Sequence, residues 1–358
     1  MPEIPDNDRT ADLQSQLREA LADGEPLAIR GGGTKAFYGR EITGRALEMS
    51  GHTGVVSYDP TELVVTVRAG TRLAALQDLL AGHGQMLAFE PPHFGDGATV
   101  GGMVAAGLAG PRRPWGGGVR DAMLGARVLD GTGEVLRFGG EVMKNVAGYD
   151  LSRLQAGSLG ILGVLLDVSL KVLPRPQVET TRILDIGAQE ALAWLAEWGR
   201  RPLPLTGAAH TRDGLRLRLA GSESAVAEAA ERIGGEEDRE GPAFWTDLRE
   251  HRLPFFRAGA PLWRLSVPPA APLDDGLDGE GLLDWGGTQR WLRANLPAER
   301  VRAAAAGAGG HASAFRGGDR SGEVFAPLPP PLLAVHRKLK AALDPHGLFN
   351  PGRMYAEL

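Results

Sequence analysis

The sequence predicts an α+β fold, not a doubly wound parallel sheet, and three observations carry that expectation. Strand-like apolar runs stand close together with tight turn residues between them, as at Asp130-Gly131-Thr132-Gly133, which suits antiparallel hairpins. Helical periodicity is confined to a few segments instead of alternating regularly with strands. The character of the chain also changes after Pro174-Arg175-Pro176. The predicted domains are 1–176, a smaller α+β domain over 177–331, and a C-terminal helix and tail over 332–358.

Taken in order, Leu13, Leu17 and Leu21 recur at helical spacing, predicting a first helix that Gly24 can end. Strand-like runs follow at 27–29, 54–58 and 63–68, the last two separated by Asp59-Pro60. Thr71 is the expected N-cap of a helix carrying Leu73, Leu76, Leu79 and Leu80 and closed near Gly82. Leu124–Asp130 and Val135–Phe138 flank the hairpin turn, and residues 161–173 read as one long buried strand ending at Pro174. In the second region, residues 190–235 are rich in Ala and Glu, with Trp194 and Trp198 at helical spacing. Residues 268–281 are rich in Pro, Gly and Asp, and Arg302–Gly310 is nearly all Ala and Gly. The last predicted helix, 332–343, carries Leu332, Val335, Leu339 and Leu343.

Two glycine-rich loops are the densest chemical signal. Arg30-Gly31-Gly32-Gly33-Thr34-Lys35 leaves the run Leu27-Ala28-Ile29, and the second loop reads Gly97-Ala98-Thr99-Val100-Gly101-Gly102. Backbone N–H groups without side chains around them form a concave site for an anion. Two such loops suit an extended, doubly charged linker such as a dinucleotide pyrophosphate; ordinary turns are the alternative. The spacing is wrong for a Walker loop. Gly31, Gly33 and Ala36 match G-x-G-x-x-A, but Phe37–Gly44 has no helical period, so the strand–helix context of a Rossmann fingerprint is missing.

Composition narrows the function further. The chain has 358 residues, 43% of them hydrophobic, enough for two cores. A formal net charge of −5 argues against nucleic acid as a general partner. Cysteine is absent, which removes disulfides, cysteine-ligated clusters and a thiolate nucleophile from this chain. The polar, acidic start does not read as a signal peptide, and no run approaches a membrane span. A cytoplasmic protein is expected, with any membrane association arising through partner subunits.

The ordered set of motifs resembles the FAD-binding fold shared by vanillyl-alcohol oxidase and p-cresol methylhydroxylase. The matching pieces are the two loops, Thr61–Gly70, Val119–Gly125, Lys144-Asn-Val-Ala-Gly-Tyr-Asp150 and Gly157-Ser-Leu-Gly-Ile-Leu-Gly163. Within that family, Lys144–Asp150 and the ending Phe349-Asn-Pro-Gly-Arg-Met-Tyr355 are most similar to the FAD-binding subunits of bacterial glycolate oxidases. The resemblance implies a two-subdomain FAD-binding PCMH-type domain over 1–176, a cap-like second domain, and a C-terminal tail returning to the first. It implies that Gly31, Gly32, Gly33 and Thr34, with Lys35 beside them, cradle the pyrophosphate. Gly97, Ala98, Thr99, Val100, Gly101 and Gly102 would support it from the other side. Gly157, Ser158, Gly160 and Ile161 would offer backbone amides and carbonyls to the adenine or the isoalloxazine. Lys35 is equally well read as a solvated loop lysine.

Many members of the family hold FAD through a histidine. Neither loop contains one here, and His83 and His93 lie outside the usual place, so the expected FAD is non-covalent. Members that oxidise 2-hydroxy acids gather histidines around a metal in the second domain. The nearest stretch, Gly309–Arg316, has only His311, and one histidine makes no metal site. No metal is expected, and no catalytic residue is assigned; His311 suits a cap, the core or a flavin neighbour.

Two functions follow from the resemblance. In the first, the chain is an accessory FAD subunit taking part in electron transfer during oxidation of glycolate to glyoxylate. Its partners would be a catalytic flavoprotein subunit and an iron–sulfur subunit, with a 2-hydroxy acid as substrate of the complex. In the second, the chain alone oxidises a 2-hydroxy acid or alcohol, with Arg264, Arg316 or Arg353 holding the carboxylate and His311 as base. A scaffold without flavin is a third, weaker alternative.

Overall fold

The computed structural model describes residues 4–140, 150–257, 259–269, 271–273 and 277–358. Lys144–Tyr149, which carry most of one resemblance motif, lie outside the described residues. The chain divides into two compact units. Unit 1 comprises residues 1–108, 118–174 and 320–358; unit 2 comprises 109–117 and 175–319.

Unit 1 opens with helix α1 (Thr10–Asp23), which Gly24 ends in the left-handed conformation at φ 65°. Its Leu13, Leu17 and Ala20 are fully buried, as their spacing requires. Strands β1 (Leu27–Arg30) and β2 (Arg45–Glu48) pair in parallel beneath it. A five-stranded antiparallel sheet follows, built from β3 (Val55–Asp59), β4 (Val64–Arg68), β6 (Met123–Leu129), β7 (Val135–Gly139) and β8 (Val164–Lys171) in the order β3-β4-β8-β6-β7. The short strands β5 (Gln85–Met86) and β9 (Leu173–Pro174) pair with one another. Asp130 Oδ1 accepts from Thr132 N at 3.0 Å and Glu134 N at 2.9 Å, fixing the β6–β7 hairpin where the turn signal placed it.

Central strands β4 and β8 are buried along almost their whole length, so they read as continuous apolar runs. Asp167, in the middle of β8, is accommodated by a polar cluster: Arg127 ion-pairs with it, Arg68 lies 3.4 Å away and His52 Nε2 3.6 Å away. Burial pushes its carboxyl up, but His52, Arg127 and Arg68 outweigh burial and hold it below the usual range.

Two sequence expectations change. Thr71 does not cap helix α2 (Leu73–Gly82), whose N-cap is Arg72. Its hydroxyl instead accepts from Gly54 N at 3.0 Å and donates to Gly54 O, because it is buried between the helix and β3. The run 161–173 is not one strand: β8 begins at Val164, after a turn in which Ile161 N donates to Ser158 O.

Unit 2 is an antiparallel eight-stranded sheet in the order β13-β10-β12-β11-β15-β16-β14-β17. Its strands are β10 (Val178–Leu184), β11 (Leu205–Thr211), β12 (Gly214–Gly221), β13 (Glu236–Glu237), β14 (Leu262–Ser266), β15 (Glu280–Asp284), β16 (Gln289–Arg293) and β17 (His311–Arg316). Helices Ala188–Trp198 and Glu223–Ile233 bury Leu195, Trp198, Val226 and Ile233 against Leu215, Leu217 and Leu219 of β12. The Ala-rich helix Ala298–Gly307 packs Val301 and Ala305 in a second cluster with Trp263 and Leu265. Residues 109–117 also belong here: Arg112 ion-pairs with Glu179 at 2.6 Å, and Gly110 O accepts from the Trp285 indole at 2.9 Å.

Candidate functional site

Unit 1 contains a cleft of about 550 Å³. One wall is the end of β1 and the first glycine loop, Ala28 through Ala36, with Glu41 and Ile42. Facing it, α3 (Val100–Ala106) presents Thr99, Gly102, Ala105 and Ala106. Leu159, Arg320, Asn350 and Arg353 complete the lining.

Among the described residues, nothing accepts a hydrogen bond from the N–H groups of Gly31, Gly32, Gly33 or Thr34. A run of unpaired donors beside a cavity is an anion-binding arrangement. The charges agree: Arg30, Lys35, Arg320 and Arg353 line the cleft against the single carboxylate of Glu41, in a chain whose net charge is −5. Lys35 Nζ is anchored on His93 O at 3.2 Å.

The second loop is built differently from the expectation that its amides face a phosphate. Val100 N donates to Thr71 O, Gly101 N to Ala69 O at 2.7 Å, and Gly102 N to the Thr99 hydroxyl at 3.2 Å. Only Thr99 and Gly102 of the six line the cleft; Gly97, Ala98, Val100 and Gly101 lie behind it. Their smallness serves packing. A Cβ on Gly32 would fall 1.4 Å from Gly97 O, and one on Gly101 would fall 2.7 Å from the Ala69 methyl. Gly31 likewise abuts the Thr99 hydroxyl. Glycine is therefore demanded where the two loops touch each other and where α3 meets the end of β4. Gly33 is the exception: at φ 70° its Cβ would meet nothing within 4 Å.

In the third segment the amides already have partners within unit 1. Gly157 N and Leu159 N donate to Val104 O and Ala105 O of α3, both at 2.9 Å, and Ser158 N, Gly160 N and Ile161 N are bonded within the turn. None of these amides is left for a ligand. Gly157, Ser158, Gly160 and Ile161 do not line the cleft, although Leu159 between them does.

What holds this segment is the C-terminal tail, whose side-chain part the sequence motifs did not disclose. Asn350 Oδ1 accepts from Ile29 N at 2.8 Å while its Nδ2 donates to Leu159 O at 2.7 Å, tying β1 to the turn across the end of the cleft. Lys340 Nζ donates to Ile161 O at 2.8 Å, Asp344 Oδ2 at 2.6 Å and Phe349 O at 2.8 Å. Burial lowers the Lys340 ammonium's pKa, and the Asp344 carboxylate partly restores it. Arg320 and Arg353 both reach the Ala36 carbonyl, at 2.8 and 3.0 Å. A proline–glycine ending after a helix is a visible signal of a structured tail, but nothing in sequence spacing shows where it docks.

No histidine or tyrosine lines the cleft among the described residues. His93 bonds Gln77 at 2.7 Å, and His83 packs edge-on against Tyr58. In unit 2, His311 starts β17 opposite Ser266, and burial followed by the Arg264 charge lowers its pKa. Arg264 donates to Gln289 at 2.7 Å and packs over the Trp285 ring. Gln289 in turn donates to the buried carboxylate of Asp284. Among the described residues no group of three His, Asp or Glu side chains is placed to hold a metal.

This cleft and fold define the class. Residues 8–139 match the FAD binding domain model, and residues 287–354 match the C-terminal domain of FAD linked oxidases; the chain is an FAD-dependent oxidoreductase. It belongs to the family of the glycolate oxidase subunit GlcE, being 53% identical to that subunit of Escherichia coli (strain K12) over 97% of both chains. It is also 30% identical to a D-lactate dehydrogenase of Archaeoglobus fulgidus, over 65% of this chain and 50% of that one. The glycolate oxidase subunit GlcD of Bacillus subtilis (strain 168) is 31% identical over 46% of this chain and 36% of its own length. Among solved structures, an alkyldihydroxyacetonephosphate synthase superposes with a TM-score of 0.64 at 16% identity, covering 95% of this chain and 74% of that one; at that identity the likeness is one of fold.

Proposed function

We propose that the chain is the FAD-binding accessory subunit of a glycolate oxidase or dehydrogenase complex, and that the cleft of unit 1 holds its FAD without a covalent bond. The observation that carries this reading is the row of unpaired amides from Gly31 to Thr34 facing a cationic cleft. A diphosphate is the part of FAD that such a row recognises. Thr99 and Gly102 close the opposite wall, and the small side chains of Ala105 and Ala106 leave room for a flat ligand. When bound, FAD supplies the redox chemistry; the protein's share is to orient it, exclude water and set its electrostatics. That neither glycine loop contains a histidine supports a non-covalent attachment.

Within the complex, a sister flavoprotein subunit would oxidise glycolate to glyoxylate and an iron–sulfur subunit would carry electrons onward. Kinship to a protein named as a glycolate oxidase subunit supports an assembly of several chains. The D-lactate dehydrogenase relative favours a second reading, in which this chain oxidises a 2-hydroxy acid alone. One anaerobic experiment separates them. The flavin of the isolated protein mixed with millimolar glycolate should stay oxidised, and should become reduced when the catalytic subunit is added. Bleaching of the lone chain at about 1 per second or faster would establish the standalone reading. Acid precipitation should release all the flavin to the supernatant, and colour retained in the pellet would contradict non-covalent binding.

A further inference from the structure

The cleft has one feature that a backbone cradle does not account for. Arg320 and Arg353 come from the segment that follows unit 2 in sequence, yet their guanidinium groups converge on a single oxygen, the carbonyl of Ala36 immediately after the glycine loop. Arg320 also donates to Gly39 O at 2.8 Å and Arg353 to Arg40 O at 2.7 Å. The only described carboxylate within ion-pair reach of either is Glu41, 3.9 Å from Arg320 and largely in solvent, so it compensates little. Burial, then the Arg320 charge, push the Arg353 guanidinium down to about 10. Two like charges held together by carbonyl dipoles at the wall of a cavity are costly until an anion enters.

We propose that Arg320 and Arg353 form a side-chain clamp for the cofactor's diphosphate, set against the backbone amides of Gly31–Thr34, and that this clamp makes the chain prefer FAD to a flavin without phosphate. The inference rests on the FAD reading of the cleft. Guanidinium forks suit phosphate oxygens in a way that a lysine's point charge does not. Their position also explains why the tail must fold back on unit 1: the positive half of the site is delivered by residues more than 280 positions from the loop it serves.

The test titrates the full-length chain, stripped of flavin, with FAD and with riboflavin, following flavin fluorescence. If the wild-type chain binds no FAD, the reading of the cleft itself fails. If it does, Arg320→Gln and Arg353→Gln should each weaken FAD about 10- to 100-fold, the range of a hydrogen bond to a charged group, and leave riboflavin affinity unchanged. Equal losses for the two ligands would mean that the arginines only brace the 36–40 turn, and unchanged FAD affinity would mean that they do not touch the diphosphate; either overturns the proposal. Arg320→Lys and Arg353→Lys keep charge and bulk, and guard against misfolding: they should bind FAD more tightly than the Gln variants, and no difference would count against the clamp.

Discussion

At the scale of single residues, neighbouring glycines of one loop have opposite reasons for being glycine. A Gly32 side chain would strike the Gly97 backbone, so Gly32→Ala should lower the melting temperature of unit 1 and abolish flavin retention together. Gly33→Ala meets open space and costs only left-handed strain, about 1 kcal/mol. It should fold and still bind FAD more weakly, because it adds bulk and strain to the loop that lines the cleft. Thermal melts beside flavin content after gel filtration distinguish the two; a Gly32→Ala protein with full flavin and an unchanged melt would contradict the loop contact. A second residue-scale prediction concerns Asp284 in unit 2. It is fully buried, accepting from Trp285 N at 2.7 Å and Gln289 Nε2 at 2.9 Å, and burial raises its pKa to about 6 against those hydrogen bonds. The folded value lies above the unfolded one, so the stability gained from holding its proton is fully present below pH 3.8 and lost as pH rises through about 6. Above that, ionised Asp284 costs the fold about 3 kcal/mol. Carboxyl carbon NMR should find one aspartate titrating near pH 6, and a midpoint below 4.5 for Asp284 would remove that cost.

At the scale of elements, the helix Pro330–Leu343 and the tail behind it act as a clasp. Lys340 holds the 158–161 turn, its own helix end and the tail at once, and Asp344 also accepts from Leu348 N at 3.0 Å and Phe349 N at 2.8 Å. Lys340→Met would leave that carboxylate buried without its cation, a loss of about 3–5 kcal/mol. Urea denaturation should show it, accompanied by weaker FAD binding, because Leu159 and Asn350 line the cleft that the clasp closes. A Lys340→Met protein as stable as wild type would show that the tail's apolar contacts through Leu348 and Phe349 suffice. The helices themselves were legible: α1 and α2 carry their leucines at the spacing that buries them. The cap at Thr71 and the strand start at Ile161 were not, since a threonine's choice of partner and a strand's first residue depend on what lies across the gap.

At the scale of the whole molecule, the chain forms two units whose cores are built separately, and no helix among the described residues is long and apolar enough to cross a membrane. Each unit takes residues from distant stretches of sequence. Unit 1 is completed by residues 320–358, and unit 2 takes Arg112 and Arg113 from the segment 109–117, where Arg113 packs over the Trp285 ring. Truncation before residue 320 should therefore remove flavin binding as well as the tail, since Arg320, Asn350 and Arg353 all line the cleft. Flavin retained by such a truncated chain would show that the first 174 residues make the site alone.

The α+β class, the helices and hairpin with strong periodicity or turn chemistry, and the glycine loop that lines the cleft were legible in the amino-acid order alone. Those signals are local: they depend on side-chain spacing along a few turns or strands, or on glycine where a backbone must be bare. Tertiary structure alone decided which glycines border the cleft and which are demanded by packing, because that depends on the atom facing each missing Cβ. It also decided that the amides of 157–161 are spent on α3 and within their own turn, that Arg320 and Arg353 meet the loop near residue 36, and that Asn350 joins Ile29 to Leu159. Contacts across some 300 residues leave no periodic trace in the chain; they exist only once the helix and tail have folded back and the buried donors have found their acceptors.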